Sequence, residues 1–167
     1  MRKRSTDLSK TSNKVTIEHL LNHTSGFADI FIANYREDQL AFDTLDKKLS
    51  LLKNAPLLFE PGSDYKYSNY GYIVLGAILE KASNKTFSRL LSENIFKRIS
   101  LNDTAFTVDK SDTNQSSRYS YSYAGSLNYV GVTEHPSPDG SIESTVKDVQ
   151  RFYRGLFYSN SLLNNQN

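Results

Sequence analysis

Apolar residues recur at helical spacing in four stretches of the chain, which predict four helices. The predicted helices span residues 16–22, 70–82, 86–98 and 146–158, and three of them begin at a Thr or a Ser-Thr pair suited to an N-cap. The 70–82 stretch is apolar on nearly every side, so we expect other elements to cover it on several sides. Residues 35–53 have a weaker apolar stripe and are compatible with a further helix.

A different pattern, typical of strands, lies between the third and fourth of these helices. Residues 105–108 are strand-like, and tyrosines alternate with serines over residues 119–123, as in a strand that exposes one aromatic face. Turn signals occur at residues 59–62, and a loop is predicted at residues 135–140. The chain thus changes from helical to strand-like in character shortly after residue 101.

Length, hydropathy, net charge and cysteine content limit the classes of protein to which this chain can belong. The chain has 167 residues, a length typical of one domain. Of these residues 38% are hydrophobic, and the mean hydropathy of −0.53 is that of a polar protein. We expect a polar tail at residues 1–14 and a single domain over residues 15–167, since no repeat or change in composition divides the latter. The net charge of +2 gives no case for nucleic acid binding, and the absence of cysteine excludes disulfides and thiolate metal sites.

The basic cluster at residues 1–4 has the charge of a signal-peptide start, but a polar segment follows it instead of an apolar one. We therefore expect no export signal within this chain. No stretch approaches the length of a transmembrane helix. The cellular compartment stays unassigned at this point.

Three segments carry motifs, and they follow one another in a fixed order. Residues 15–26 read VTIEHLLNHTSG, residues 61–72 read PGSDYKYSNYGY, and residues 139–148 read DGSIESTVKD. Together they resemble the corresponding segments of the serine hydrolases of the β-lactamase and penicillin-binding-protein superfamily. That superfamily includes class C β-lactamases, D-Ala-D-Ala carboxypeptidases and esterases.

The resemblance implies an α+β fold of the β-lactamase/transpeptidase type, in which a helical lobe packs against an antiparallel sheet. This chain would cover mainly the helical lobe and a short β segment. It would lack the helix that carries the nucleophile and the closing strands. One departure from the family pattern is the turn at residues 98–101, which reads RISL where relatives have PLGM, so that Ser100 replaces a glycine.

Enzymes of this family transfer acyl groups through a covalent serine ester, using Ser-x-x-Lys, Tyr-x-Asn and Lys-or-His-x-Gly motifs. The resemblance places Tyr67 and Asn69 at the functional positions of the second motif. It implies that Tyr67 is catalytic, as a general base or its relay, and that Asn69 binds the substrate carbonyl or amide. A neutral phenol is a weak base, so Tyr67 would need nearby lysines, including the one in Ser-x-x-Lys.

A nucleophile is harder to find, because a loose pattern such as Ser-x-x-Lys matches freely by chance. The tail at residues 1–14 contains no match, and the third family motif is missing as well, since Pro136 follows His135. We expect each existing match to be structural; the matches begin at Ser50, Ser63 and Ser144.

These observations leave two hypotheses. The first is a fragment of a serine acyl-transfer hydrolase of the β-lactamase, D-Ala-D-Ala carboxypeptidase or esterase type, inactive as this isolated chain. The alternative is a non-catalytic remnant or binding module of the same fold. The expected partner of the complete enzyme is a small acyl substrate, namely a β-lactam, peptide or ester. The apolar 70–82 helix would keep an uncovered face, so we also expect this chain to self-associate as a dimer that buries that face, or else to be only marginally folded.

A metal site is the last candidate. His19 and His23 lie four residues apart, a spacing that places two ligands on one face of a helix. A third ligand is not evident, so a structural role near the end of a short helix is favoured. We expect neither a metal nor a cofactor.

Overall fold

A computed structural model describes residues 13–30, 41–51, 53, 55–106, 119–121, 127–129, 137–140 and 142–163. The predicted tail at residues 1–14 lies almost wholly outside the described residues. So do the first part of the helix predicted at residues 35–53, the end of the strand predicted at residues 105–108, and the first two residues of the predicted loop, His135 and Pro136.

The described elements are five α-helices, a π-helical turn and four short strands. The order in the chain is α1 (Ile17–Leu21), α2 (Leu45–Ser50), α3 (Asn69–Ser83), α4 (Phe87–Leu91), the π-helical turn (Ser92–Phe96), β1 (Ala105–Phe106), β2 (Tyr119–Tyr121), β3 (Leu127–Tyr129), β4 (Ile142–Glu143) and α5 (Val146–Phe157). This is the predicted α+β class, with helices in the majority. In the described ranges, no helix has the length and apolar content needed to cross a membrane.

The chain forms two compact units. The first comprises residues 1–83 with 137–139, and the second comprises residues 84–136 with 140–167. The first unit holds α1, α2 and α3, and the second holds the remaining elements. The predicted division into a tail at 1–14 and one domain at 15–167 stays a prediction.

Threonine side chains cap the start of four of the five described helices, as the sequence predicted for three of them. The hydroxyl of Thr16 accepts a hydrogen bond from the His19 N–H at 3.2 Å, while His19 Nδ1 accepts from the Thr16 N–H at 3.3 Å. This reciprocal pair is a capping box, with histidine in the place usual for Glu or Gln. The same hydroxyl contact, at 3.3 Å, starts three more helices from Thr44, Thr86 and Thr145.

Two predicted helices differ from the observed ones. The 35–53 helix is limited, in the described residues, to α2, because the extended backbone of Thr44 starts the helix at Leu45. The 86–98 helix changes to a π-helical turn after α4. There the Asn94 side-chain amide donates to the Leu90 carbonyl at 2.9 Å, and so competes with the backbone N–H that a regular α-helix would place on that oxygen.

The core of the first unit lies on the N-terminal half of α3. Tyr70 is fully buried, its ring meets Phe27 edge-on at 5.3 Å, and its hydroxyl donates to the Leu49 carbonyl at 2.9 Å. Burial raises the pKa of the Tyr70 phenol to about 12, so it stays protonated and keeps this donor role. The core residues are Leu20, Phe27, Ile30, Tyr70, Ile73 and Val74.

The cover over α3 ends before the helix does. α3 contacts α1 and α2, and its side chains are buried or half-buried as far as residue 77. Beyond that, Ile78 is 39% exposed and Leu79 is 48% exposed. Residues 70–77 are therefore covered, while Ile78 and Leu79 form an uncovered apolar end, as expected of a helix that keeps an exposed face in this chain.

Two antiparallel strand pairs belong to the second unit. β1 pairs with β4 in the register Ala105 to Glu143, and β2 pairs with β3 in a hairpin. The predicted strands at residues 105–108 and 119–123 are confirmed at residues 105–106 and 119–121. β3 and β4 were not predicted, because runs of two or three residues show no alternation to identify them.

A buried carboxylate organises the start of α5. Asp148 accepts hydrogen bonds from the Asp103 N–H at 2.7 Å, the Thr104 hydroxyl at 3.0 Å and the Arg151 guanidinium at 2.8 Å. Burial by itself raises the pKa of this carboxyl, but these three donors and the charge of Arg151 outweigh it and hold the pKa below the ordinary value. The Arg151 guanidinium also donates to the carbonyl of Ser100, which has a φ of 56°. The turn thus keeps a left-handed residue although serine replaces the family glycine.

Candidate functional site

The first two motifs form one structure through backbone hydrogen bonds. The Gly62 N–H donates to the Thr24 carbonyl at 2.9 Å, and the Lys66 N–H donates to the His23 carbonyl at 3.0 Å. The carbonyl of Gly26 accepts from the N–H at residue 58 at 2.8 Å. The segment that follows α1 therefore holds the loop that leads into Tyr67.

Glycine is required at two points of this arrangement. Gly26 has a φ of 79°, and a Cβ there would clash with the Phe59 carbonyl oxygen. Gly62 has a φ of 85°, and a Cβ there would lie 3.1 Å from His19 Nε2. The glycines of both motifs thus permit left-handed backbone at the points where the two segments approach each other closely.

Ser68 anchors the middle of the Tyr-x-Asn motif. Its side chain is buried, and its hydroxyl donates to the Ala28 carbonyl at 3.0 Å. Its N–H donates to His23 Nδ1 at 3.4 Å. The residue between the two functional positions therefore fixes them against the segment that follows α1.

Tyr67 and Asn69 lie where they were predicted, at the entry to the apolar helix. Tyr67 precedes α3 and is 56% exposed, while Asn69 is the first residue of α3, one residue before the predicted start. The Tyr67 hydroxyl donates to Asn69 Oδ1 at 3.0 Å. The two polar groups that the family motif pairs are thus in direct contact, with the phenol accessible to solvent.

The structure adds Asp29, which the sequence did not single out. Asn69 Nδ2 donates to both carboxylate oxygens of Asp29, each at 3.2 Å, and the Asn69 N–H donates to Asp29 Oδ1 at 3.2 Å. Asp29 and Asn69 are 40 residues apart in the chain. The one sequence signal for Asp29 was its position three residues after the glycine of the first motif. A carboxylate at such a position is too common to identify a site residue.

The two histidines have structural contacts. His19 completes the capping box of α1, as described above. The ring of His23 lies among three tyrosine rings, with centroid distances of 4.5 Å to Tyr67, 5.3 Å to Tyr72 and 6.1 Å to Tyr65. Among the described residues, no group of three side chains is suited to hold a metal ion.

The three serines of the Ser-x-x-Lys matches are all hydrogen-bonded to nearby structure. Ser50 Oγ donates to the Lys47 carbonyl at 2.6 Å, and Ser63 Oγ donates to the Glu60 carbonyl at 2.7 Å. Ser144 Oγ lies 2.8 Å from the Thr104 hydroxyl, beside the Thr145 cap of α5. These contacts agree with the structural interpretation of each match.

Comparison with known proteins decides the family. The family model described as Beta-lactamase matches residues 6–167, nearly the whole chain. The chain belongs to the beta-lactamase family. Its members are serine hydrolases, and the resemblance inferred from the three motifs is confirmed.

Individual relatives agree with this assignment. Penicillin-binding protein 4* of Bacillus subtilis is 31% identical over 162 residues, which cover 86% of this chain and 36% of that protein. A putative D-alanyl-D-alanine carboxypeptidase of Escherichia coli is 32% identical over 108 residues, which cover 60% of this chain and 24% of that protein. The crystal structure of a penicillin binding protein from Bacillus halodurans matches with a TM-score of 0.79 and 26% identity, covering 96% of this chain and 55% of that one.

The chain therefore has the predicted β-lactamase/transpeptidase-type fold. It spans about a third of the length of its Bacillus subtilis relative. The catalytic role predicted for Tyr67 and the substrate-binding role predicted for Asn69 stay predictions.

Proposed function

We propose that this chain supplies the Tyr67 and Asn69 part of an active site that transfers acyl groups through a covalent serine ester. The substrate class is a small β-lactam, peptide or ester, in keeping with relatives named as a penicillin-binding protein and a putative D-alanyl-D-alanine carboxypeptidase. The observation that carries the proposal is the contact of the exposed Tyr67 phenol with the Asn69 side chain at the start of α3.

The geometry suits the proton transfer that acyl transfer requires. A general base must lie within hydrogen-bond reach of the proton it removes, and an exposed hydroxyl at the entry to a helix is open to a nucleophile or a leaving group. The residues on either side of Tyr67 are both bound to His23, since the backbone N–H groups of Lys66 and Ser68 donate hydrogen bonds to it. Its backbone is therefore fixed although its side chain is exposed.

A second part of the proposal is that the isolated chain does not turn over substrate, because none of its serines fills the nucleophile role. The rival hypothesis, a non-catalytic remnant or binding module of the same fold, makes the same forecast for the isolated chain. The two differ when a Ser-x-x-Lys segment is supplied, which restores acylation only under the first hypothesis.

The purified 167-residue chain is expected to hydrolyse neither a chromogenic cephalosporin, nor a p-nitrophenyl ester, nor a peptide that ends in D-Ala-D-Ala, above the rate in buffer. Initial rates for the wild type, Ser63→Ala and Ser144→Ala test this. The three proteins should be indistinguishable. Turnover by the wild type that disappears in one serine variant would identify that serine as a nucleophile and overturn the inactivity of the chain.

The isolated chain is also expected to self-associate through the exposed end of α3. Ile78 is 39% exposed and Leu79 is 48% exposed, so burial of their remaining surface would stabilise a dimer by about 0.6–1.5 kcal/mol for each side chain. Light scattering over a dilution series should show a mass that falls toward the monomer, and the double variant Ile78→Gln with Leu79→Gln should stay monomeric. Val146→Gln, at an 88% exposed position, is the control. A wild type that is monomeric at every concentration would contradict the expectation.

A further inference from the structure

Asp29 makes more contacts with the start of α3 than a helix cap needs. Its Oδ1 accepts from the N–H of Ile30 at 2.7 Å and from the N–H of Asn69 at 3.2 Å. In addition, Nδ2 of Asn69 lies 3.2 Å from each of the two carboxylate oxygens. The carboxylate thus holds both the backbone and the side chain of one of the two residues proposed to act in the site.

The chemistry of a carboxylate decides which way round the Asn69 amide lies. An ionised carboxylate only accepts hydrogen bonds, and an amide group has its donors on nitrogen and its acceptor on oxygen. The nitrogen of Asn69 must therefore face Asp29, and its Oδ1 faces the other way, toward Tyr67. Because Oδ1 is an acceptor, the Tyr67 hydroxyl has to donate in the 3.0 Å contact between them.

We propose that Asp29 is a positioning residue, which sets the direction of the hydrogen bond between Tyr67 and Asn69. Its significance for catalysis rests on the proposed function. With the phenol hydrogen directed at Asn69, the lone pairs of the phenol oxygen are left to accept a hydrogen bond from the hydroxyl of an attacking nucleophile. Asp29 thereby selects the acceptor role of Tyr67 toward substrate.

A simple capping role for Asp29 is the competing interpretation. A carboxylate at the first N–H of a helix is favoured by the helix dipole whatever side chain that first residue carries. The isosteric variant Asp29→Asn separates the two. Its Oδ1 still accepts from the N–H groups of Ile30 and Asn69, so the cap is retained, but its other end is now an NH₂ group. Asn69 must then turn its oxygen toward residue 29 and its NH₂ group toward Tyr67.

The test is NMR spectroscopy of the full 167-residue chain, with ¹⁵N and ¹³C labelling. In the Asp29→Asn variant, the nuclear Overhauser effect between the Asn69 side-chain NH₂ protons and the Tyr67 ring protons beside the hydroxyl should grow several-fold over the wild type. An unchanged effect in a folded variant would overturn the proposal. If Asp29 only caps α3, this nuclear Overhauser effect should stay unchanged, because capping does not depend on the orientation of the Asn69 amide.

An exchange of the side chains of Asp29 and Asn69 gives a second, independent test. In the double variant Asp29→Asn with Asn69→Asp, the NH₂ group of residue 29 donates to the carboxylate of residue 69, which still accepts from Tyr67. The double variant should recover the melting temperature that Asn69→Asp loses, since that single variant places two carboxylates face to face. A rescue would show that the side chains of residues 29 and 69 face each other, which is the contact on which the proposal rests, and an unrescued double variant would refute the proposal. Neither readout requires turnover, so both are independent of whether the proposed function holds.

Discussion

Replacement of Tyr67 by Phe is expected to slow acylation by about 10²–10⁴-fold, the usual scale for a positioned acid–base group. Because we propose that the isolated chain does not turn over substrate, the measurement uses a chimera in which residues 15–163 replace the matching segment of Penicillin-binding protein 4* from Bacillus subtilis. The substitution would keep an aromatic ring beside His23 and remove the hydroxyl that contacts Asn69. The rate of covalent labelling by a fluorescent penicillin is the quantity to compare.

Tyr65→Phe is the matched control for this experiment. Tyr65 is 63% exposed, lies on the same loop and also places its ring near His23, at 6.1 Å. Its hydroxyl is not part of the family motif, so its removal should leave the labelling rate within about twofold, as for most surface changes. Equal losses in the two variants would show that the loop tolerates no change at all and would remove the case for the Tyr67 hydroxyl. A chimera that is not labelled even with Tyr67 intact would favour the non-catalytic remnant.

Local signals in the sequence predicted the helices well. Thr16, Thr86 and Thr145 each begin a helix with the hydroxyl contact that their positions suggested. α3 occupies residues 69–83 against a predicted 70–82. Each of these features depends on residues within one or two turns of each other, so that the sequence alone contains the necessary information.

Long-range contacts were the part that could not be predicted. Asp29 joins the site through Asn69, and β1 pairs with β4 across nearly 40 residues, as the register of Ala105 with Glu143 shows. Neither partner has a local pattern that indicates the other. The π-helical turn was missed for a different reason, since it follows from one side-chain amide, that of Asn94, competing for a backbone carbonyl.

The candidate site was found because its motifs encode the close approach of two segments. His23 supplies a carbonyl to Lys66 and a ring nitrogen to Ser68, while Gly26 and Gly62 permit the backbone to come near enough. A motif match therefore reports a three-dimensional contact and not merely a composition. That contact holds the loop that carries Tyr67 and Asn69, even though the match says nothing about Asp29.

The packing of α3 against residues 137–139 provides the second prediction with a large effect. A Cβ at Gly76 would overlap with Cγ of Pro138 and lie 2.7 Å from its Cβ, far inside van der Waals contact. Gly76→Ala should therefore lower the free energy of unfolding by about 1–3 kcal/mol, the cost typical of overpacking. For a chain of this length, that corresponds to a fall in Tm of about 2–12 °C.

Gly71→Ala, on the same helix, is the matched control for Gly76→Ala. A Cβ at Gly71 would make ordinary contact with the Leu20 carbonyl oxygen at 3.4 Å, so the substitution should be neutral or should gain up to about 1 kcal/mol from helix propensity. Both variants receive that propensity gain, so a difference between them measures the contact with Pro138. Thermal unfolding followed by circular dichroism should place Gly76→Ala well below Gly71→Ala. If the two variants melt together, Pro138 moves aside without cost, and the loop at residues 137–139 is not packed tightly against α3.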